Sequence, residues 1–158
     1  MIRENCYLPA YYGEIVVPTM APFYYYAMNV KRDAYSYKIV QSKHTDMTSF
    51  FYDNIKKIFD MCKGQNANLI CVAPSSEIGQ FSPTLLQIAK KISAESGVPN
   101  ENIIVKVIKK EKMTTKVGYD SRFHAVDGTL AVTRRLKDNE KNILILDDTK
   151  VSGCTTLE

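Results

Sequence analysis

The sequence is poor in the residues from which proteins build metal centres and disulfide frameworks. His44 and His124 are its only histidines, and Cys6, Cys62, Cys71 and Cys154 fall into no Cys-x-x-Cys or Cys/His spacing. Such a pattern supports neither zinc nor covalent staples. Isolated histidines are read as surface or hydrogen-bonded residues, so no metal site is expected from protein nitrogen or sulfur. Long apolar runs are missing too, and none approaches the roughly 20 residues of a membrane span. Met1 to Glu14 lacks the basic-then-apolar layout of a secretory leader, which makes a cytoplasmic location the default expectation. Charge of one sign is scarce: the formal net charge is +4, and Lys56-Lys57, Lys90-Lys91, Lys109-Lys110 and Arg134-Arg135 sit in separate segments. Solvated faces explain that distribution, and a phosphate-rich small ligand is the sharper reading; by itself it implies no nucleic acid. No Ser/His/Asp or Cys/His nucleophilic set is visible.

What is present suits one compact α/β domain of 158 residues with 45% apolar composition. Residues 1–47 form a tyrosine-rich region, punctuated to about Tyr37 by Pro9, Pro18 and Pro22, that suits short strands and turns better than a long helix. Its Tyr24-Tyr25-Tyr26 run is read as packing over a small sheet rather than as a stacking surface for bases. Residues 48–158 read as the α/β core. Phe51, Ile55, Ile58, Phe59 and Cys62 recur at helical spacing between Thr48 and Cys62. Leu69 to Ala73 is a short continuous apolar run, the pattern of a strand buried on both faces. Ser82 and Pro83 open a second helix with a stripe of Leu85, Ile88, Ala89 and Ile92, closed by Gly97 and Pro99. Ile103 to Ile108 is the next predicted strand, Thr129 to Leu136 a predicted helix, and Ile143 to Leu146 a third buried strand. This alternation predicts a mostly parallel, Rossmann-like sheet with helices on both faces.

In open sheets of this kind ligands bind beyond the carboxyl ends of the strands. After Ile143 to Leu146 the chain reads Asp147-Asp148-Thr149-Lys150-Val151-Ser152-Gly153-Cys154-Thr155-Thr156. Two adjacent carboxylates at the end of a buried strand are costly to desolvate unless bound, and sugar hydroxyls or a hydrated divalent cation are suitable partners. Small and hydroxyl residues around a glycine then let backbone N–H groups approach an anion, and a helix expected to start there would add its positive end. A strand ending in an Asp-rich turn, as in Walker-B-like strands or receiver-type domains, is the competing reading; against Walker B, no GxxxxGK[ST] is present.

Four apolar residues, two acids, a short variable stretch and Ser-Gly-x-Thr, in register from Ile143 to Thr155, resemble the phosphoribosyl-diphosphate (PRPP) signature of the type I phosphoribosyltransferases. From about Leu69 onward the chain is similar to their ComF-like (competence protein F) branch. The resemblance implies that Asp147 and Asp148 contact the ribose hydroxyls, and that Val151, Ser152, Gly153, Cys154 and Thr155 wrap the 5′-phosphate. It implies a pyrophosphate loop at Ala73, Pro74, Ser75 and Ser76. It further implies a closing basic loop over Lys109 to Arg122, with Lys112, Lys116 and Arg122 bringing cations to the leaving group. Magnesium carried with PRPP is the implied cofactor, an unidentified nitrogen acceptor the second substrate, and a homodimer is left open.

Departures weaken any assignment of substrate. Arg122-Phe123 stands where Arg-Asn is usual, Glu77-Ile78-Gly79-Gln80 where glutamine and arginine are usual, and Lys150 and Cys154 where smaller or apolar residues are common. A domain of this type would continue through a helix and at least one more strand beyond Glu158. Truncation at the C-terminus, or completion of the sheet by the N-terminal region, is therefore expected. The rival reading is a non-catalytic module that senses PRPP or a nucleotide, or an accessory protein of DNA uptake or processing, for which alone nucleic acid would be a partner.

Overall fold

The computed structural model describes residues 34–109 and 127–148, together with the backbone of four short strands nearer the N-terminus. Those strands are β1 (Cys6–Tyr7), β2 (Ala10–Tyr12), β3 (Ile15–Val17) and β4 (Met20–Ala21). β2 pairs antiparallel with β3, and β1 with β4, in keeping with the short strands predicted for the tyrosine-rich region.

The region's second part differs from prediction. α1 spans Ala34–Ser42, where strands and turns were expected as far as Tyr37. Its buried residues are Ser36, Ile39 and Ser42, spaced three apart. That is one helical face, but two of its three members are serines, so a search for apolar periodicity passes over it.

α2 (Thr48–Met61) and α3 (Pro83–Ser96) lie where the sequence predicts them. The Asp46 carboxylate accepts from the Thr48 backbone N–H at 2.9 Å just ahead of α2, and Phe51, Tyr52 and Phe59 form the buried side of that helix. Cys62, expected on this stripe, is exposed just past the helix end. In α3, Ser82 is the N-cap, its hydroxyl accepting from Leu85 N–H, and Pro83 fills a first-turn position whose missing N–H costs nothing. Gly97 closes the helix at φ 76°, a left-handed conformation that glycine adopts without strain, and its N–H reaches the Ser93 carbonyl at 2.9 Å. All four predicted stripe residues of α3 are buried. None of the described helices is long and apolar enough to cross a membrane.

β5 (Leu69–Val72) is the centre of the core, with no residue more than 1% exposed. It pairs in parallel with β8 (Ile143–Leu146), Leu69 opposite Ile143 and Val72 opposite Leu146. On its other edge Ile70 N–H donates to the Pro99 carbonyl at 2.8 Å, and Glu101 N–H donates to the Ile70 carbonyl at 3.1 Å, so the chain leaving α3 returns parallel to β5. Val72 N–H is met by the side-chain oxygen of Asn102 at 3.0 Å rather than by a backbone carbonyl.

Side chains alternate along β5 as the pleat requires. Ile70 and Val72 join Ile39 of α1, Phe51, Tyr52 and Phe59 of α2, and Leu85, Ile88, Ala89 and Ile92 of α3 in the main cluster, against which Leu144 and Leu146 pack. Leu69 and Cys71 point the other way, to Ile103, with Ile104 and Ile143 against them. The described helices therefore pack on one face of the strand pair, where helices on both faces were predicted.

A second correction concerns β6 (Ile104–Lys106) and β7 (Leu130–Val132). They pair antiparallel, with Val105 opposite Ala131, although a helix was expected across Thr129 to Leu136. Val132 and Leu136 are exposed and Thr129 is the buried residue there, so the apolar side chains form no helical stripe. A segment this short gives periodicity too little to decide on, and cross-strand pairing prevails. Among the described residues the sheet is thus parallel only around β5, not mostly parallel. Beyond β7, Arg134 forks between the carboxylates of Glu101 and Glu140, with closest contacts of 2.7 Å to each, and ties the turn before β8 to the start of the β6 segment.

Between α2 and β5 a single 3₁₀ turn, Gly64–Asn66, presses against α2. A Cβ on Gly64 would overlap the ring of Phe59, which is 3% exposed and cannot swing into solvent cheaply. Gly64→Ala should therefore cost about 1–3 kcal/mol of stability through overpacking. Urea denaturation measures this, and an unchanged midpoint would show that Phe59 yields freely.

Candidate functional site

The register of β5 with β8 fixes what meets at their carboxyl ends. Val72 and Leu146 are level, and Ala73 N–H donates to the Leu146 carbonyl at 2.8 Å, so the Pro74 turn and the Asp147-Asp148 pair leave the sheet side by side. Residues 74 places apart in sequence become neighbours through one strand pairing.

Asp148 N–H donates to Asp147 Oδ1 at 2.7 Å, curling the backbone around the first carboxylate. The Asp148 carboxylate, its side chain 18% exposed, pairs with the Lys43 ammonium at 2.8 Å. Desolvation by the surrounding strand ends, and then the charge of Asp148, push the Asp147 carboxyl up to about 7, against the opposing pull of the Asp148 N–H and Lys43. Asp147 nevertheless keeps open surface. Water at that surface moderates the rise without changing its direction. The arrangement is a pair of acids that resists carrying two full charges on its own.

Lys43 comes from an unforeseen direction. The turn after α1 sits on the first turn of α3: the Ser82 hydroxyl donates to the Ser42 carbonyl at 2.8 Å, and the Thr84 hydroxyl donates to the Thr45 carbonyl at 3.0 Å while accepting from Met47 N–H at 2.8 Å. Ser82 and Thr84 are buried, so these bonds are shielded from competing water. They deliver Lys43 to the strand end. Since α1 is hidden from apolar periodicity by its serines, nothing in the sequence pairs Lys43 with Asp148.

The loop following β5 is closed on itself. A bridge joins Pro74 to Phe81, Ser75 N–H donates to the Gln80 carbonyl at 2.8 Å, and Glu77 N–H donates to the Ser75 hydroxyl at 3.3 Å. Gln80 N–H reaches the Glu77 carbonyl across a tight turn in which Gly79 takes φ 70°, a conformation that explains glycine at this position. Of the predicted pyrophosphate loop, the Ala73 and Ser75 amides are committed and Pro74 has none. Ser76 alone of the four keeps an uncommitted amide among the described residues. The Glu77 carboxylate pairs with the Lys109 ammonium at 2.6 Å and joins this loop to the segment after β6. The segments after β5 and β6 thus meet, as do those after β5 and β8.

Lys112, Lys116 and Arg122 of the predicted closing loop, and Val151, Ser152, Gly153, Cys154 and Thr155 of the predicted phosphate cradle, lie outside the described residues. Among the described residues no three His, Cys, Asp or Glu side chains gather as a metal cage. Magnesium does not need one, because it is commonly held by one or two carboxylates plus the phosphates it arrives with. The charge of Asp148 is the second cause, after desolvation, of the raised Asp147 carboxyl, and a divalent cation at the pair would relieve it.

No family model matches this chain, and neither a curated protein nor a solved structure matches it.

The raised Asp147 carboxyl has a measurable consequence for stability. Its folded value lies above that of an unfolded aspartate, so the folded state holds the extra proton between about pH 4 and 7, and stability is lost as pH rises through that window. Asp147→Asn keeps the acceptor for Asp148 N–H and removes the charge. Its Tm relative to wild type should therefore climb between pH 4 and pH 8, measured by thermal denaturation in parallel buffers. A Tm difference that stays flat with pH would rule out a raised Asp147.

Proposed function

We propose that the chain binds PRPP with magnesium at the carboxyl ends of β5 and β8, as a phosphoribosyltransferase-type domain of the ComF-like kind. One observation carries the reading: the acids read as the ribose grip and the turn read as the diphosphate loop, encoded far apart, leave adjacent parallel strands at the same edge. The parallel β5–β8 pair, with α3 and the returning segment at Asn100 completing a β-α-β unit, is compatible with a sheet of the Rossmann-like type I phosphoribosyltransferase kind.

On this reading Asp147 and Asp148 accept hydrogen bonds from the ribose 2′- and 3′-hydroxyls and hold the ring, while Ser76 and its neighbours face the diphosphate. Magnesium, held by the acids and the diphosphate together, would neutralise charge on the departing phosphates. Transfer would break the C1–O bond, with the electron pair leaving on pyrophosphate, and form a C1–N bond to the acceptor, whose proton goes to solvent. The protein's part is positioning and electrostatic stabilisation, with Lys112, Lys116 and Arg122 of the closing loop assigned to the leaving group.

The closed state of the loop from Pro74 to Phe81 favours a second reading, in which the domain binds the ligand as a sensor without turnover. An amide cradle for pyrophosphate would require the Ser75 to Gln80 bond to open.

Titration calorimetry with PRPP and magnesium tests both readings. Wild type should bind, and Asp147→Asn/Asp148→Asn should bind at least about tenfold more weakly, the cost of losing charge-assisted hydrogen bonds. Absence of heat from wild type would end the PRPP reading. Binding without pyrophosphate release across a panel of nucleobases would select the sensor.

A further inference from the structure

Lys43 combines a backbone fixed by buried bonds with a half-exposed charged tip. The turn that carries it is closed by His44 N–H and Thr45 N–H donating to the Gln41 carbonyl at 3.1 and 3.0 Å, and is pinned to α3 through Ser82 and Thr84. The side chain beyond is 48% exposed and meets Asp148 Oδ2 at 2.8 Å. The lysine end of the pair is half-exposed and the carboxylate end 18% exposed, so solvent screens the bond in part, and the scaffold keeps the ammonium close while its tip can exchange.

That is the design of a removable counter-ion. An isolated acid pair at a strand end would repel itself, and a cation tethered at high local concentration lowers that cost when no ligand is bound. The same ammonium lies against Asp148 Oδ2, so a divalent ion drawn to that carboxylate meets a competing charge.

We propose that Lys43 is a tethered counter-ion of the acid pair, which a divalent cation arriving with the ligand must displace from Asp148. The inference rests on reading Asp147-Asp148 as the place where a cation-bearing sugar phosphate binds. Lys43 is a positioning residue here: it holds the site closed, and it gates entry by competition.

Manganese alone is the probe, followed by the loss of the free-ion paramagnetic resonance signal on the full chain. Lys43→Met should bind Mn²⁺ roughly three- to tenfold more tightly than wild type, the gain from removing a competing charge at short range. Lys43→Arg, which keeps the charge, should behave as wild type, an outcome that a merely structural lysine would not produce. In Lys43→Met/Asp148→Asn the gain should vanish. Unchanged or weaker Mn²⁺ binding by Lys43→Met would overturn the inference, as would a gain that survives loss of the Asp148 charge. PRPP titrated alongside separates this from the ligand assignment: a Mn²⁺ gain without PRPP binding supports the counter-ion and removes the proposed ligand, whereas PRPP binding without a Mn²⁺ gain overturns the counter-ion alone.

Discussion

The parallel pairing of β5 with β8 is the constraint on which the rest depends. β5 is buried throughout, so each of its backbone groups must find a partner inside the protein; an unpaired buried N–H costs about 1–3 kcal/mol. β8 serves one edge and the chain returning from α3 the other, down to the Asn102 side chain that stands in for a carbonyl at Val72. A slip of one residue would turn Ile70 and Val72 away from α2 and α3 and leave Leu69 and Cys71 facing the helices. Register is therefore enforced by the core, and it sets Asp147 beside Ala73.

The electrostatics of the strand ends follow from that placement. Asp147 keeps open surface, yet partial desolvation and the charge of Asp148 shift it toward its neutral form, and Asp148 takes the nearby ammonium. α3 begins at the same edge, and the buried Ser82 and Thr84 hydroxyls of its first turn hold the segment that carries Lys43. Elements that serve stability, a helix cap and a pinned turn, thereby also determine the charge balance at the acids. The Glu77–Lys109 pair adds a second link across the same edge, between loops that the PRPP reading needs to move.

Much of this was legible in the sequence wherever one residue type carried one physical signal. Ser82-Pro83 and Gly97 bracket α3 because capping and positive φ demand those residues, and β5 is a continuous apolar run because it is buried on both faces; β8 carries the same run but is only half-buried, where a buried strand was predicted. Asp147-Asp148 stood out because paired acids directly after an apolar strand conflict with desolvation. The failures share a cause as well. α1 buries serines, so its face carries no apolar period; β7 is three residues long, too short for strand and helix patterns to differ; and Lys43 reaches Asp148 only through a helix that went unseen. Hydrogen bonds spanning 39 or 40 residues, such as Thr84 to Thr45 and Ser82 to Ser42, leave no trace in local spacing.

The central claim, that the carboxyl ends of β5 and β8 form the ligand site, is tested most directly by mapping amide chemical-shift changes as PRPP and magnesium are added to ¹⁵N-labelled protein. The account predicts that Lys43, Ala73, Ser75, Ser76, Asp147 and Asp148 shift together and saturably, while α2 and the Arg134 turn stay still. Shifts confined to other surfaces, or none at ligand excess, would contradict it.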